Sequence, residues 1–546
     1  MSHLSKIFES VPIKVQNKNG FDLSHLNCGT SKCGQLVPVM CKLLPPNSDF
    51  TLGVNMEVNL PPLATSFYGR IDAIVEGFVV PCSILYGGWK QFISNNQSTM
   101  FVEGNYIGTV LPIFRFNTKE ETQGFPEFIA DYKTNDNIFE YLGLRLPNEI
   151  VQTTVNYDLN ILPALSYHLI YDTFYRNKQV TKTIFEINVD YDDLPVNKSS
   201  SVGRIWHSRY KEGKNIFGAS LDNSTFADGV EIWHTRQRNY ARDYFTASTP
   251  SPQQGNASTL RFPITDTTGE FSIAALRSAN ALQKFLETNN LSGDYADMMR
   301  NRWGTRPIDA DFDEPYYLGR VVVPVYQHSI YQQDSTAKAD AVNPFAKQGA
   351  IGVKGASAGF SGSGSIGKYH NSTWSYVMCL FSLVPHAMYS QGVNRELTML
   401  SLGDFPAPEL QSVGNEAIKD YELFFDTAFG TSFAESDDFA YIPRYSRFKY
   451  MDDEIHGELR AGKSLDSFVL QRNIGTVVLS TAFLEIPQNA LDDVFAVSTA
   501  SMNLSCWYEI YFDFKVSMPL ADFCIPTLGD IGDTHTIKTT QGGSRL

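Results

Sequence analysis

A chain of 546 residues can bury a large core, and with 19% charged residues against about a quarter in ordinary soluble proteins and 13% aromatic ones, much of its surface is expected to be covered, extensive subunit contact being one candidate. The formal net charge of −15 excludes unaided condensation of nucleic acid, which needs an excess of Lys and Arg, but leaves local basic patches open. The opening segment lacks a signal-peptide apolar core, and the longest apolar-rich run, Trp374 to Val384, is too short to span a bilayer, so the chain is expected to be made and used in cytosol.

Cys28, Cys33 and Cys41 lie close together near the start, yet no second pair of Cys or His completes a zinc spacing, and seven scattered cysteines do not make a disulfide framework. Packing thiols are expected there, with neither metal nor cofactor. The segment RIDAIVEGFVVP, residues 70–81, is rich in β-branched residues and bounded by turn formers, which predicts a strand. Next come two segments that interleave arginines with aromatics. GRIWHSRYKEGK holds Arg204, Trp206, Arg209 and Lys211, and IWHTRQRNYARDYF holds Trp233, Arg236, Arg238, Tyr240 and Arg242. That mixture pairs phosphate neutralisation with base stacking on single strands. Subunit interfaces favour the same residues. These nine side chains are the candidate DNA contacts.

Residues 271–287, FSIAALRSANALQKFLE, predict a helix: Ser272 can cap it, and Leu276, Ala279, Leu282 and Leu286 form one apolar stripe. In DADFDEPYYLGR, Asp309, Asp311 and Asp313 begin like a calcium loop, but Glu314 replaces the turn glycine and Arg320 the bidentate Glu, so a solvated acidic turn is expected. RVVVPVYQHSIYQQ then reads as a strand. The stretch GFSGSGSIGKYH, residues 359–370, has the glycines and Lys368 of a phosphate loop, but Tyr369 stands where the hydroxyl belongs and no strand precedes it. A mobile Gly/Ser loop is predicted instead.

PELQSVGNEAIKDYELFF is expected to form a second helix, DDEIHGELR an exposed acidic turn, and TVVLSTAFLEI a strand. In CWYEIYFDFKVSM, Ile510, Phe512, Phe514, Val516 and Met518 alternate with polar or exposed-type residues, the period-two signature of a half-buried strand. His168, His328 and His386 sit in apolar or strand-like surroundings and are expected to be hydrogen-bonded core histidines. No nucleophile elbow appears, and catalysis is not expected. Long polar segments at 177–231, 246–270 and 334–372 interrupt the strands, and loops of that length are functional or contact neighbours. With no repeat and no dividing linker, one strand-built body with large insertions is expected over 1–546.

RDYFTASTPSPQQG, residues 242–255, resembles the R-H-D-Y-F-T-S-x-L-P-W-P-Q-K-G segment of the major capsid proteins of the Microviridae, especially their gokushovirus-like branch. FDLSH, LVPVMCKLLPPNSDF and FVVPCSILYGGWKQF are similar to that family's opening stretch, and ILPALSYHLIYDTFYRN to a later one. IAALRSANALQKFLE, GDYADMMRNRWG, DEPYYLG, YSQGVNREL, YIPRYSRFKY and GELRAGKSLD follow in the family's order. The ordered set covers nearly the whole chain.

This resemblance implies a mainly β fold, an eight-stranded antiparallel viral jelly roll with long loop insertions and a few helices. Sixty copies, grouped as pentamers, would close a T=1 icosahedral shell around circular single-stranded DNA, with assembly in the host cytoplasm and residence in the virion. A small basic DNA-packaging protein, a pilot protein, a scaffolding protein and a host surface receptor are the implied partners. The acidic balance fits a need for the basic partner. Ser251 replaces the family's Trp, and only NASTLRFPITDTTGE separates Gly255 from Phe271, where relatives carry a long protruding insertion. Segment 177–231 is therefore the expected exterior loop and host-attachment element. The competing expectation is a strand-rich carbohydrate-binding protein or glycosidase, since aromatic loops hold sugars and paired carboxylates cleave them.

Overall fold

The computed structural model describes, apart from short breaks, residues 10–63, 67–94, 101–116, 125–147, 157–184, 230–253, 273–290, 314–331, 354–425, 433–520 and 534–538. Its centre is one nine-stranded antiparallel sheet. The strands are β1 (Asn19–Asp22), β2 (His25–Ser31), β3 (Val37–Leu44), β4 (Ser48–Asn59), β5 (Ile71–Pro81), β6 (Tyr316–Tyr331), β7 (Lys354–Asn371), β8 (Ser375–Pro385) and, after the hairpin β9 (Asn415–Lys419) and β10 (Asp438–Pro443), β11 (Cys506–Met518). β1 and β2 pair in tandem with opposite halves of β11, Asp22 facing Lys515 and His25 facing Phe512. From there the order runs β11, β4, β7, β6, β5, β8, β3.

The predicted alternation of β11 holds along its length. Tyr508, Ile510, Phe512, Phe514 and Val516 are buried while Trp507, Glu509, Tyr511, Asp513 and Lys515 face outward. β4 matches it with Phe50, Leu52, Val54, Met56 and Val58 inside. The sheet folds over on itself, so that Phe381 of β8 meets Tyr508 of β11 with ring centroids 4.6 Å apart. One continuous core lies between the two halves. Each such side chain contributes roughly 1.5–3 kcal/mol when removed from water, so strands spread over the whole chain are drawn into a single body.

β5 and β8 are buried on both faces. Their inner residues Val75, Val79, Val377 and Phe381 belong to that core, and their outer residues Phe78, Val80, Tyr376, Met378 and Leu380 to a second one. The second core is roofed by α1 (Phe125–Lys133), α2 (Ile138–Tyr141) and α3 (Leu162–Ile170). α3 starts where the Asn160 side chain accepts from the Leu162 N–H at 3.0 Å and Pro163 fits the first turn. It is apolar nearly all round, as a helix enclosed in a core should be. A third cluster packs β9 and β10 against Tyr244, Phe245, Phe483 and Leu484.

Several expectations are corrected. Residues 359–370 are not a mobile loop; they are the middle of β7, in register with β4 from Gly359–Asn59 to Asn371–Ser48. Gly362 and Gly364 turn inward, where Val323 and Val321 of β6 occupy the side-chain space, and Ser361, Ser363 and Ser365 turn outward. TVVLSTAFLEI is not a strand: Ser480 caps a helical turn over Thr481–Leu484, its Oγ accepting from the Phe483 N–H. PELQSVGNEAIKDYELFF does not form one helix. A 3₁₀ turn over Pro408–Val413 ends at Gly414, whose φ of +124° breaks it, and β9 and a helical turn over Asp420–Leu423 follow. The helix α4 (Ile273–Asn290) exists, with Leu276 and Leu282 of its stripe about half-exposed.

His168 and His386 are hydrogen-bonded, to the Ile232 carbonyl at 2.7 Å and to Asp72 at 2.9 Å. Burial first, and then Arg236, hold His168 well below the usual imidazole range. His328 lies in β6. Cys33 is buried, Cys41 half-buried and Cys28 exposed. DDEIHGELR is mostly exposed, although Asp452 turns in against Arg447. Of the long segments, 185–229, 254–270 and 332–353 lie outside the described residues, as do Asp309, Asp311 and Asp313.

Candidate assembly surface and basic cleft

The arginine-aromatic segment at 232–245 threads beneath the helical roof. Trp233 is buried edge-on to Phe128 at 5.6 Å, and its indole N–H donates to Asp131 at 3.0 Å. Arg236 is buried over the Tyr171 ring, its Nε 3.3 Å from His168 Nδ1. Arg238 donates to Glu76 at 2.6 Å and to Ser382 Oγ at 2.9 Å, over the Tyr175 ring. Tyr240 is buried under Arg472. These side chains have intramolecular partners, and the alternation that drew notice in the sequence serves packing at those positions. Arg242 is exposed. Arg204, Trp206, Arg209 and Lys211 lie outside the described residues.

Arg242 opens onto a cleft of about 640 Å³. Arg70, Arg176, Arg238, Arg242 and Arg320 line it, with Asp72, His386 and Phe174. Burial pushes the Asp72 carboxyl up, but hydrogen bonds from Arg70 at 2.8 Å and from His386 outweigh it and hold it below the usual carboxylate range. Arg176 is braced by Asp172 at 2.7 Å. Arg70, Arg176 and Arg320 escaped sequence reasoning because they arrive from separate strands and a helix end, with no neighbour in sequence to mark them.

A second feature is apolar. Between Asn394 and Gly414 the chain makes three 3₁₀ turns, Arg395–Thr398, Leu402–Asp404 and Pro408–Val413. Polar groups fix their backbone: Asn394 Oδ1 accepts from the Glu396 N–H at 3.0 Å, and the Asp404 carboxylate accepts from the Ser401 and Leu400 N–H groups at 2.7 and 3.0 Å. The Ser401 backbone bond in particular keeps Asp404 below its ordinary pKa. Arg395 ties the segment to β9 through the Ala417 carbonyl at 3.1 Å. Yet the large side chains point outward, Leu397 78%, Leu400 90% and Leu402 91% exposed. Phe405, Val413, Phe448 and Met451 add to this exposed set, and Leu276 and Leu282 of α4 are likewise about half-exposed. Gln283 and Glu287 of α4 contact Gln253 and the Gly414 region, which places α4 beside this belt. Leucines this exposed on a held backbone make the belt a candidate interaction surface.

The family described as the capsid protein, or F protein, of phages matches residues 10–272 and 264–528. The chain is similar to capsid protein VP1 of Chlamydia phage 1, at 22% identity over 95% of this chain and 97% of that protein. It is also similar to capsid protein VP1 of Bdellovibrio phage phiMH2K, at 20% identity over 96% and 98%. Both are gokushoviruses of the Microviridae. A mainly β body with an outward-facing apolar belt, matched along nearly its whole length, therefore belongs to the phage F capsid protein family of the Microviridae.

Proposed function

We propose that this chain is the subunit of a closed icosahedral shell, sixty copies of which enclose a circular single-stranded DNA genome in the virion. The observation that carries the reading is the apolar belt at 397–413, presented on a fixed backbone by a chain whose relatives are named capsid proteins. A second copy of the chain is its natural cover, a heterologous contact that closes only if its rotations close.

The strand order supports an eight-stranded jelly roll as one domain over 1–546. With β1 and β2 counted as one position, β2–β11–β4–β7 and β6–β5–β8–β3 are the two four-stranded halves of such a roll, joined through the β7–β6 pairing. Segment 177–231 is the proposed exterior, host-contacting loop. A net charge of −15 favours packaging with a small basic protein, and pilot and scaffolding proteins complete the proposed partners, with assembly in host cytoplasm. The carbohydrate-binding or glycosidase alternative finds no support in the comparisons.

The test is electron microscopy of particles from infected cells, with the dominant protein band identified. Regular shells built mainly of this chain are expected. A small soluble oligomer, with the chain missing from every particle, overturns the reading.

A further inference from the structure

We infer that the arginine cleft beside β5 and β6 is a seat for a short single-stranded nucleic-acid segment, with phosphates on Arg242, Arg320 and Arg70 and a base stacked on Phe174. The inference rests on the capsid reading and adds to it a site.

Charge comes first. Five guanidiniums line the cleft, and three carboxylates neutralise three of them: Asp72 with Arg70, Asp172 with Arg176, and Glu76 with Arg238. Arg242 and Arg320 have no carboxylate partner among the described residues, and both are exposed. On a chain of net charge −15, two unneutralised guanidiniums at one mouth form a local attractor for an anion. Guanidinium groups are the side chains best matched to phosphate oxygens, through paired parallel N–H donors.

The aromatic side decides between anions. Phe174 lines the cleft and is 41% exposed; Tyr317, 37% exposed, stands 6.0 Å from it by ring centroid at the rim. Both rings rest on buried Phe78, at 5.1 and 5.5 Å, so their outer faces are held in place. A simple carboxylate or an acidic peptide makes no use of a fixed π face. A nucleotide does, because each base can stack on it while the neighbouring phosphate reaches an arginine. Behind them, the Arg238–Glu76–Tyr175 group forms a rigid floor, Tyr175 donating to Glu76 at 2.6 Å.

The experiment measures fluorescence anisotropy of a labelled oligothymidylate, about ten nucleotides long, against the full chain across a salt series, with poly-glutamate as a competing anion. The double variant Arg242→Ala/Arg320→Ala is expected to weaken binding roughly tenfold or more and to lower the salt slope by about 1.4, two phosphates at about 0.7 each. Phe174→Ala is expected to weaken binding about fivefold or more with the salt slope unchanged. The arginine double variant should keep the wild-type melting temperature, Phe174→Ala should lower it slightly through lost packing on Phe78 while remaining folded at the assay temperature, and Arg242→Lys/Arg320→Lys should restore most of the salt slope. Wild-type affinity in the double variant, or competition by poly-glutamate as effective as by unlabelled oligothymidylate, overturns the inference. The same proteins are imaged for shells: shells with unaltered oligonucleotide affinity in the variants remove the cleft and leave the capsid reading standing. Absence of shells from a wild type whose binding depends on Arg242, Arg320 and Phe174 removes the capsid reading and leaves the cleft.

Discussion

Replacing Glu76 by Gln should destabilise the chain more than any surface change, because of what it leaves behind. Arg238 points its NH1 at Glu76 Oε2 at 2.6 Å, and both side chains are nearly enclosed. Ser382 and the Tyr175 ring are the other neighbours, and neither carries a compensating charge. Removing one member of such a pair strands the other charge in a poorly solvated place, which costs about 3–5 kcal/mol. An unfolding entropy of about 2.1 cal/mol/K per residue over this chain gives about 1.1 kcal/mol per kelvin, so the melting temperature should fall by about 3–4 °C in scanning calorimetry at neutral pH. Arg238→Ala should fall by a similar amount, and Glu76→Met/Arg238→Met should recover much of the loss, since apolar replacement of both partners leaves no orphaned charge. An Arg238→Ala chain that melts with the wild type while losing oligonucleotide affinity would refute the reasoning: Arg238 would then be a nucleic-acid contact and not a strut.

Three further outcomes follow from other parts of the molecule. A Cβ at Gly364 would lie 2.8 Å from Val321 Cγ2, so Gly364→Ala should cost about 1–3 kcal/mol by overpacking, and Val321→Ala in the same chain should return part of it in a thermal melt. Burial, aided by Asp437 and Asp438, raises Asp420 to about 6. Against an unfolded value of about 3.9, the folded chain holds the extra proton between those two pH values, so the cost of ionising Asp420 sets in as pH rises through that window and is complete above it. Asp420→Asn should therefore raise the melting temperature more at about pH 7.5 than at about pH 4, and equal shifts would contradict the assignment. Leu400→Lys/Leu402→Lys should leave the unfolding free energy of the isolated chain within about 0.5 kcal/mol of wild type, as exposed changes do, yet abolish particles in sedimentation; normal particles would remove the belt from the assembly contacts.

Where a strand carries large side chains on one face, its pattern is visible: β11 and β4 bury Ile, Phe, Val and Met at alternate places, and β5 and β8 read as apolar runs because helices cover their second face. β7 has the same alternation written in glycine and serine. Its inward positions are Gly362 and Gly364 because Val323 and Val321 fill the space from the next strand, a fact about a neighbour more than thirty residues away. Local pattern cannot register that, and the stretch looked like a loop. PELQSVGNEAIKDYELFF has helical spacing, but Gly414 at positive φ and the pairing of β9 with β10 override it. The Arg-aromatic segment has the composition of a nucleic-acid contact, but burial under α3 assigns Trp233, Arg236 and Arg238 to partners from residues 76, 131 and 168. Conversely, the cleft draws Arg70, Arg242 and Arg320 from three distant segments, a convergence only the folded sheet creates.

Cryo-electron microscopy of the shell formed by this chain bears most directly on its role. The expected density shows closed icosahedral particles in which Leu397, Leu400 and Leu402 of one copy are buried against a neighbouring copy. A chain that stays monomeric under all conditions of expression, or a shell in which those leucines face solvent, would contradict the assignment of the 397–413 belt as the surface that builds the capsid.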